Sequence, residues 1–301
     1  MAKSISPVNR LVLHSPAKLN LFLAITGKRA DGFHNLVSVV APVDFGDTLE
    51  ISESADGFVL TCDDPMLEVD ETNLVLRAAR AFAVASGWKG GAKFFLKKRI
   101  PMGAGLGGGS SNAAATLRGL NEIAGYPLNG EKLAEIAAQL GSDCVLFLSG
   151  GPVIMRGRGE RVEALPAGAV RRLAGRRVLI FKPGFSISTA WAYRRMATAE
   201  PGWYLSAQEA EVRLAAWLHS HTHAAEELLF NNMEGPAFFK YLALPVLLEV
   251  LRAEFGLSAR MSGSGSACFA LLPHEVSVEE IRGRIREHWG AETFVAEARL
   301  R

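Results

Sequence analysis

The stretch IPMGAGLGGGSSNAAATL, Ile100 to Leu117, decides how this chain is read. Glycine stands at 103, 105, 107, 108 and 109, between a proline stop and an alanine-rich run. Such a turn lets successive backbone N–H groups face one anion, because no side chain blocks the approach and positive φ carries no steric cost. Ser110 is placed to cap a helix over residues 111–121. The unpaired first N–H groups of that helix and its positive dipole end would face the same anion. The hydroxyls of Ser110 and Ser111 add ligands for a phosphate or its magnesium ion. The rival reading is a flexible strand–helix connection, which requires fewer glycines than are present.

Other phosphate motifs fit less well. Gly103, Gly105 and Gly108 formally satisfy GxGxxG. A dinucleotide site, however, needs a buried apolar strand before the glycines, and Lys97-Lys98-Arg99-Ile100-Pro101 stands there. No Gly-Lys-Ser/Thr closes the turn, which excludes the common P-loop. Asp44-Phe45-Gly46 imitates a protein-kinase tripeptide but precedes the glycines, and no His-Arg-Asp follows it.

The rest of the chain frames that turn. The length of 301 residues predicts two domains, and 49% hydrophobic with 21% charged residues suits a core-forming protein. Lys plus Arg number 33 against 31 Asp plus Glu, a balance that argues against a dedicated nucleic-acid binder. Cys62, Cys144 and Cys268 form no CxxC pair, so a reducing, cytoplasmic setting is expected. No apolar run approaches the roughly 18 residues of a membrane span, and no signal peptide is evident.

Strand-like stretches are predicted at 17–25, 36–45, 48–52, 58–62, 93–98, 177–182, 267–272 and 293–296. Helices are predicted after Thr72 or Asn73 and at 131–140, 188–196, 207–219, 242–255 and 278–288. The elements mix without regular alternation, which predicts α+β rather than a doubly wound sheet. Glycine and proline clusters at 149–152 and 157–159 place a domain boundary near residue 158, giving 1–158 and 159–301.

Three segments together resemble the GHMP kinases, which phosphorylate small alcohols. Pro101-x-x-x-Gly105-Leu106-Gly107-x-x-Ser110-Ser111 resembles their ATP loop. SPAKLNLFLAITGKRADGFHNL, Ser15 to Leu36, resembles the first motif in its isoprenoid-pathway form. MSGSGSACFA, Met261 to Ala270, resembles the third motif, a turn that closes on the phosphates. Thr72-Asn73-Leu74, Leu140-Gly141-Ser142-Asp143 and the run Pro183 to Thr189 follow in the family's order, so the resemblance spans most of the chain. It implies two domains: an N-terminal α+β ATP-binding domain with a left-handed βαβ unit, and a C-terminal ferredoxin-like domain. It further implies transfer of the ATP γ-phosphate, with Mg2+, to the C2 hydroxyl of a methylerythritol unit carried on a cytidine diphosphate, in non-mevalonate isoprenoid synthesis. The alternative is another kinase of the superfamily, of homoserine or mevalonate type. More distant alternatives are a nicotinamide oxidoreductase and a nucleic-acid-binding module.

Residue by residue, Asp143 is either a general base or a cap for the next helix, and the resemblance selects the base. Lys18 shares a strand face with Asn20 and Phe22. That face is either solvated or turned to a site where the lysine would hold Asp143 ionised and stabilise transferred charge; the resemblance selects the second. By the resemblance, Asn73, Lys98, Pro101, Met102, Gly103, Ala104, Gly105, Leu106, Gly107, Gly108, Gly109, Ser110, Ser111 and Asn112 hold ATP. Gly263, Ser264 and Gly265 close on its phosphates. Asn20, Phe33, His34, Thr189 and Tyr193 bind the cytidine diphosphate sugar alcohol, with aromatic rings stacking on the pyrimidine. The family often has tyrosine where Phe33 stands, and Val-Pro where Cys144-Val145 follows Asp143. The histidines of His219-Ser220-His221-Thr222-His223 have metal-like spacing, but no cysteine or carboxylate completes a zinc set. No metal site is expected there, and no nucleic-acid or membrane partner.

Overall fold

The computed structural model describes residues 10–198, 202–220, 222–273 and 276–301. The chain opens with two long strands, β1 (Arg10–Lys28) and β2 (His34–Ser54), followed by β3 (Phe58–Cys62), α1 (Leu74–Ser86) and β4 (Gly91–Lys97). Then come α2 (Gly108–Ile123), α3 (Gly130–Leu140), β5 (Val153–Gly157), β6 (Arg161–Ala164), α4 (Ala167–Leu173) and β7 (Arg177–Lys182). The remainder holds α5 (Thr189–Thr198), α6 (Ala207–His219), β8 (Phe230–Asn231), α7 (Glu234–Lys240), α8 (Ala243–Phe255), β9 (Ala259–Met261), β10 (Cys268–Leu271), α9 (Val278–Trp289) and β11 (Phe294–Arg299).

Two compact units interleave along the chain. The first takes residues up to 17, 46–100 and 107–150; the second takes 18–45, 101–106 and 151–301. β1 and β2 therefore each serve both units, and the division falls inside the glycine turn.

In the first unit β4 pairs in parallel with β3 and antiparallel with the C-terminal half of β2, with Leu49 opposite Leu96 and Ile51 opposite Phe94. β3, α1 and β4 form a parallel βαβ unit. Local chemistry sets the helix ends. The Asn73 side chain accepts from Val75 N–H to start α1, and Gly87 ends it at φ 70°. Asn129 caps α3 in the same way, and Gly141 follows it. Phe82, Phe94, Leu96, Leu117 and Leu120 join one apolar core.

In the second unit the strand order β11-β7-β10-β9 is antiparallel throughout. By chain order β7, β9, β10 and β11, this is the 4-1-3-2 arrangement of a ferredoxin-like βαββαβ fold. Leu179, Phe181, Leu247, Leu251, Ile281 and Ile285 build its core. The N-terminal half of β2 also pairs with β5, and β5 with β6, while Phe22 and Leu23 of β1 pair in parallel with β8.

One expectation changes. α2 begins at Gly108, with Gly107 at φ 73° as N-cap and no side-chain cap, so Ser110 lies in the first turn. The glycine turn runs straight into the helix, leaving the first amides without a serine oxygen. Of the two readings open for the polar side of β1, the solvated one does not hold. Lys18 is 5% and Asn20 7% exposed, nearly as deeply placed as Leu19 and Leu21. β1 lies between β2 and β8 in the sheet, so both of its edges are paired.

Candidate active site

In the second unit the first half of the glycine turn meets the third motif. Ala267 N–H donates to Ala104 O at 3.0 Å, and the Ser262 hydroxyl donates to Gly105 O at 3.3 Å. Gly105 has φ 77°, and a Cβ there would stand 2.4 Å from Ser262 O. Only glycine permits this approach. Lys18 N–H donates to Leu106 O at 3.0 Å, fixing β1 beside the same turn.

The polar side of β1 is a built network. Lys18 Nζ donates to Asn20 Oδ1 at 2.6 Å, and Asn20 Nδ2 donates to the Ser38 hydroxyl at 3.0 Å. A Cβ on Gly263 would sit 3.2 Å from Asn20 Oδ1 and 3.4 Å from Lys18 Nζ, so the closing turn lies directly against this pair. Ser264 Oγ is 2.8 Å from Thr189 Oγ1. Lys18, Asn20, Gly263, Ser264 and Thr189 are thus brought together. Sequence reading missed Asn231, which holds the turn in place. Its buried amide donates to Met261 O at 2.7 Å and Gly263 O at 2.9 Å. Glu234 Oε1 accepts Met261 N–H at 2.9 Å, and burial pushes its carboxyl up to about 7.

The aromatic residues form a second cluster in this unit. The His34 ring lies 4.9 Å from Tyr193, and His34 Nε2 is 3.0 Å from the Tyr204 hydroxyl. Burial, then the nearby Lys28 charge, holds the imidazole below the usual histidine range. Phe33 is 57% exposed, with the Arg158 guanidinium 4.8 Å over one ring face. That cation–π contact leaves the opposite face for a stacking partner.

The first unit carries the rest of the turn. The residue that organises it is Asp47, also missed in the sequence. Its Oδ1 accepts Arg99 N–H at 2.7 Å and Ile100 N–H at 2.8 Å. Its Oδ2 accepts from Lys98 Nζ at 2.6 Å and Asn112 Nδ2 at 3.1 Å. Asn112 Oδ1 in turn accepts from Ser15 Oγ, which also bonds Ser111 Oγ at 2.9 Å. Lys98 and Asn112 are therefore engaged within the protein. The Asn73 side chain is engaged too, through its helix cap and a 2.7 Å bond to Glu68 O.

Asp143 is not the cap of the element that follows. That 3-10 turn, Val145–Leu148, has Cys144 at its N-cap and no side-chain cap bond. The Ser110 hydroxyl hydrogen-bonds Cys144, whose buried thiol is pushed up to about 11. This bond ties the residue after Asp143 to the first turn of α2, where the family commonly relies on Val-Pro.

Of the spaced histidines, His219 ends α6, His223 Nε2 is 3.8 Å from Glu227, and His221 lies outside the described residues. Among the described residues no group of three His, Cys, Asp or Glu side chains is arranged to hold a metal ion. Nor is any described helix long and apolar enough to cross a membrane.

A glycine turn into an uncapped helix, closed by a glycine-serine turn and set on an α+β fold with a ferredoxin-like unit, defines a GHMP kinase. The GHMP kinases N terminal domain matches residues 73–152, and the GHMP kinases C terminal domain matches 215–291. The 4-diphosphocytidyl-2-C-methyl-D-erythritol kinase of Synechococcus sp. (strain CC9311) is 38% identical over 94% of this chain and 93% of its own. The protein of that name from Protochlamydia amoebophila (strain UWE25) is 37% identical over 86% and 83%. A crystal structure of 4-(cytidine 5′-diphospho)-2C-methyl-D-erythritol kinase superposes with TM-score 0.77 at 32% identity, covering 96% of this chain and 99% of that one. The chain belongs to the 4-diphosphocytidyl-2-C-methyl-D-erythritol kinase family. Homoserine kinase from Cytophaga hutchinsonii shares the fold, with TM-score 0.75 at 18% identity. The enzyme is a kinase that uses ATP.

Proposed function

We propose that this kinase phosphorylates the C2 hydroxyl of 4-diphosphocytidyl-2-C-methyl-D-erythritol, a step of non-mevalonate isoprenoid precursor synthesis. The observation that carries the substrate assignment is the pairing of a buried, neutral His34 with the Tyr193 ring at 4.9 Å. A flat pyrimidine needs a π-face to lie on and a hydrogen-bonding group to read its edge, and these residues supply both. Homoserine and mevalonate have no use for either.

In this reading the backbone of Gly103 to Ser111 receives the ATP phosphates, and Gly263, Ser264 and Gly265 close on them. Asp143 takes the proton of the C2 hydroxyl as that oxygen forms its bond to the γ-phosphorus and ADP leaves. Lys18, held by Asn20, stabilises charge on the transferred group. Thr189 and Asn20 orient the sugar alcohol, and Phe33 offers its free face to the base. Mg2+ would enter with ATP and neutralise phosphate charge when bound. A division near residue 158 separates the two family matches, at 73–152 and 215–291, into N- and C-terminal halves. The three free cysteines suit a reducing, cytoplasmic setting.

The test is product analysis by phosphorus NMR after incubation with ATP, magnesium and a panel of alcohols. The panel holds the cytidine diphosphate substrate, free methylerythritol, homoserine and mevalonate. Phosphorylation of the first alone is expected. Turnover of homoserine or mevalonate without the cytidine compound would overturn the assignment.

A further inference from the structure

We propose that Tyr204 makes the enzyme selective for cytosine over uracil, by holding His34 in the tautomer that offers Nδ1–H to the base. This rests on the pyrimidine-site reading above. His34 Nε2 lies 3.0 Å from the Tyr204 hydroxyl, and the two rings stack at 6.0 Å with an interplanar angle of 28°. One of the two atoms must donate. A phenol is a strong donor and a weak acceptor, whereas a neutral imidazole nitrogen is a strong acceptor. Burial raises the Tyr204 hydroxyl above the usual tyrosine range, so its proton stays on oxygen. Burial and Lys28 hold His34 below its usual range, so the ring carries one proton. With Nε2 accepting from Tyr204, that proton sits on Nδ1.

Nδ1 has no hydrogen-bond partner among the described residues. As a donor it matches N3 of cytosine, which presents a lone pair. It opposes N3 of uracil, which carries a hydrogen. Discrimination at a buried edge is strong when the wrong ligand leaves two donors facing each other.

Tyr204 is also held firmly enough to impose this choice. Asn232 Nδ2 donates to Trp203 O at 2.8 Å, and Leu205 N–H donates to Ile25 O at 3.2 Å. Asn232 Oδ1 accepts Ile25 N–H at 2.8 Å, so both peptides flanking Tyr204 are tied to β1. A side chain fixed at its backbone loses little further freedom when it makes its bond.

The test compares binding of cytidine 5′-diphosphate and uridine 5′-diphosphate by calorimetry, with ADP saturating the ATP loop, in wild type and Tyr204→Phe. The phenylalanine keeps the ring, and circular dichroism checks the fold. The wild type should prefer the cytidine ligand, and the variant should lose about tenfold of that preference, the scale of one neutral hydrogen bond. Turnover at saturating substrate should change by less than about threefold, because the base is bound alike in ground and transition states. Nitrogen-15 NMR of the histidines reads the tautomer directly: Nδ1–H in wild type, a mixture in Tyr204→Phe. An unchanged preference in a folded variant, or an Nε2–H tautomer in wild type, overturns the role of Tyr204 and leaves the pyrimidine site standing. A wild type without preference for cytidine overturns both.

Discussion

Asp47 and Lys98 form a buried ion pair, Oδ2 to Nζ at 2.6 Å, with side chains 0% and 7% exposed. The carboxylate sits in β2 and the ammonium just past the end of β4. Asp47 accepts two backbone N–H groups from Arg99 and Ile100 as well, so one side chain sets the path by which the chain enters the glycine turn. Lys98 Nζ completes its own bonding on Ile100 O at 2.7 Å. The lysine that resemblance assigns to ATP is thus part of the frame on which the loop is built.

Asp47→Ala should destabilise the protein by about 3–5 kcal/mol, because it strands a buried ammonium and two backbone N–H donors, one of them buried. Urea denaturation reads that loss directly. Asp47→Asn keeps a carbonyl acceptor and should cost less. Any folded Asp47→Ala should show a raised Michaelis constant for ATP, since the turn loses its anchor. Wild-type stability would show that the pair contributes nothing.

Gly105→Ala should be damaging although it adds a single methyl. The new Cβ would meet Ser262 O at 2.4 Å, at a φ of 77° that side chains rarely adopt. The left-handed conformation alone costs about 1 kcal/mol, and the clash forces the 262–266 turn away. A lower melting temperature and weaker ATP binding are expected together. Gly184→Ala is the control, because its Cβ would meet nothing within 4 Å. A fully stable Gly105→Ala with normal ATP binding would remove the close approach from the account of the site.

Asp143→Asn should lower turnover by about 10²–10⁴-fold with both substrates still bound, the range for losing a positioned base. Lys18→Met should act on the same step, and the double variant should lose less than the product of the two single losses. Single-turnover measurements at saturating ATP separate this from slow product release. Near wild-type phosphoryl transfer in Asp143→Asn would exclude the aspartate from the chemistry.

Glu234 gives stability a pH dependence of definite sign. Burial raises its folded pKa to about 7, above the unfolded carboxyl value of 4.5. Between those values the folded state binds the extra proton, so this contribution is fully present below about pH 4.5 and is lost as pH rises through about 7. The difference corresponds to about 3 kcal/mol. Glu234→Gln keeps an oxygen for Met261 N–H and should flatten the decline of stability between pH 5 and 8. A variant with the same slope as wild type would assign the proton elsewhere.

Local rules read much of this fold, because the forces they use act within a turn or a pleat. Asn73, one of the two caps the sequence offers, caps α1 through Val75 N–H two residues away, and Gly141 follows α3 as the sequence predicts. The strands Phe58–Cys62 and Arg177–Lys182 and the helix Ala207–His219 match their predicted ends, since apolar period and flanking residues define them. The same rules misplaced the start of α2, because a serine after three glycines looks like a cap, whereas Gly107 adopts the capping conformation without a side chain.

The sequence by itself determined that a glycine turn leads into an alanine-rich helix. It also determined that three ordered motifs of one kinase family frame that turn. Only the tertiary structure decided which polar groups hold it. Asp47 reaches Lys98, Arg99 and Ile100 across about 50 residues of chain, Asn231 reaches Gly263, and Tyr204 reaches His34 across 170. None of the three lies in a motif. An aspartate after a glycine, an asparagine in a two-residue strand and a tyrosine beside a tryptophan look ordinary in sequence. The roles of Asp47 and Asn231 come from strand pairing that removes them from water, and that of Tyr204 from a loop bonded at its flanking peptides to Asn232 and Ile25. Once buried, a polar group must find a partner wherever the fold supplies one, and that partner is set by distance in space rather than along the chain.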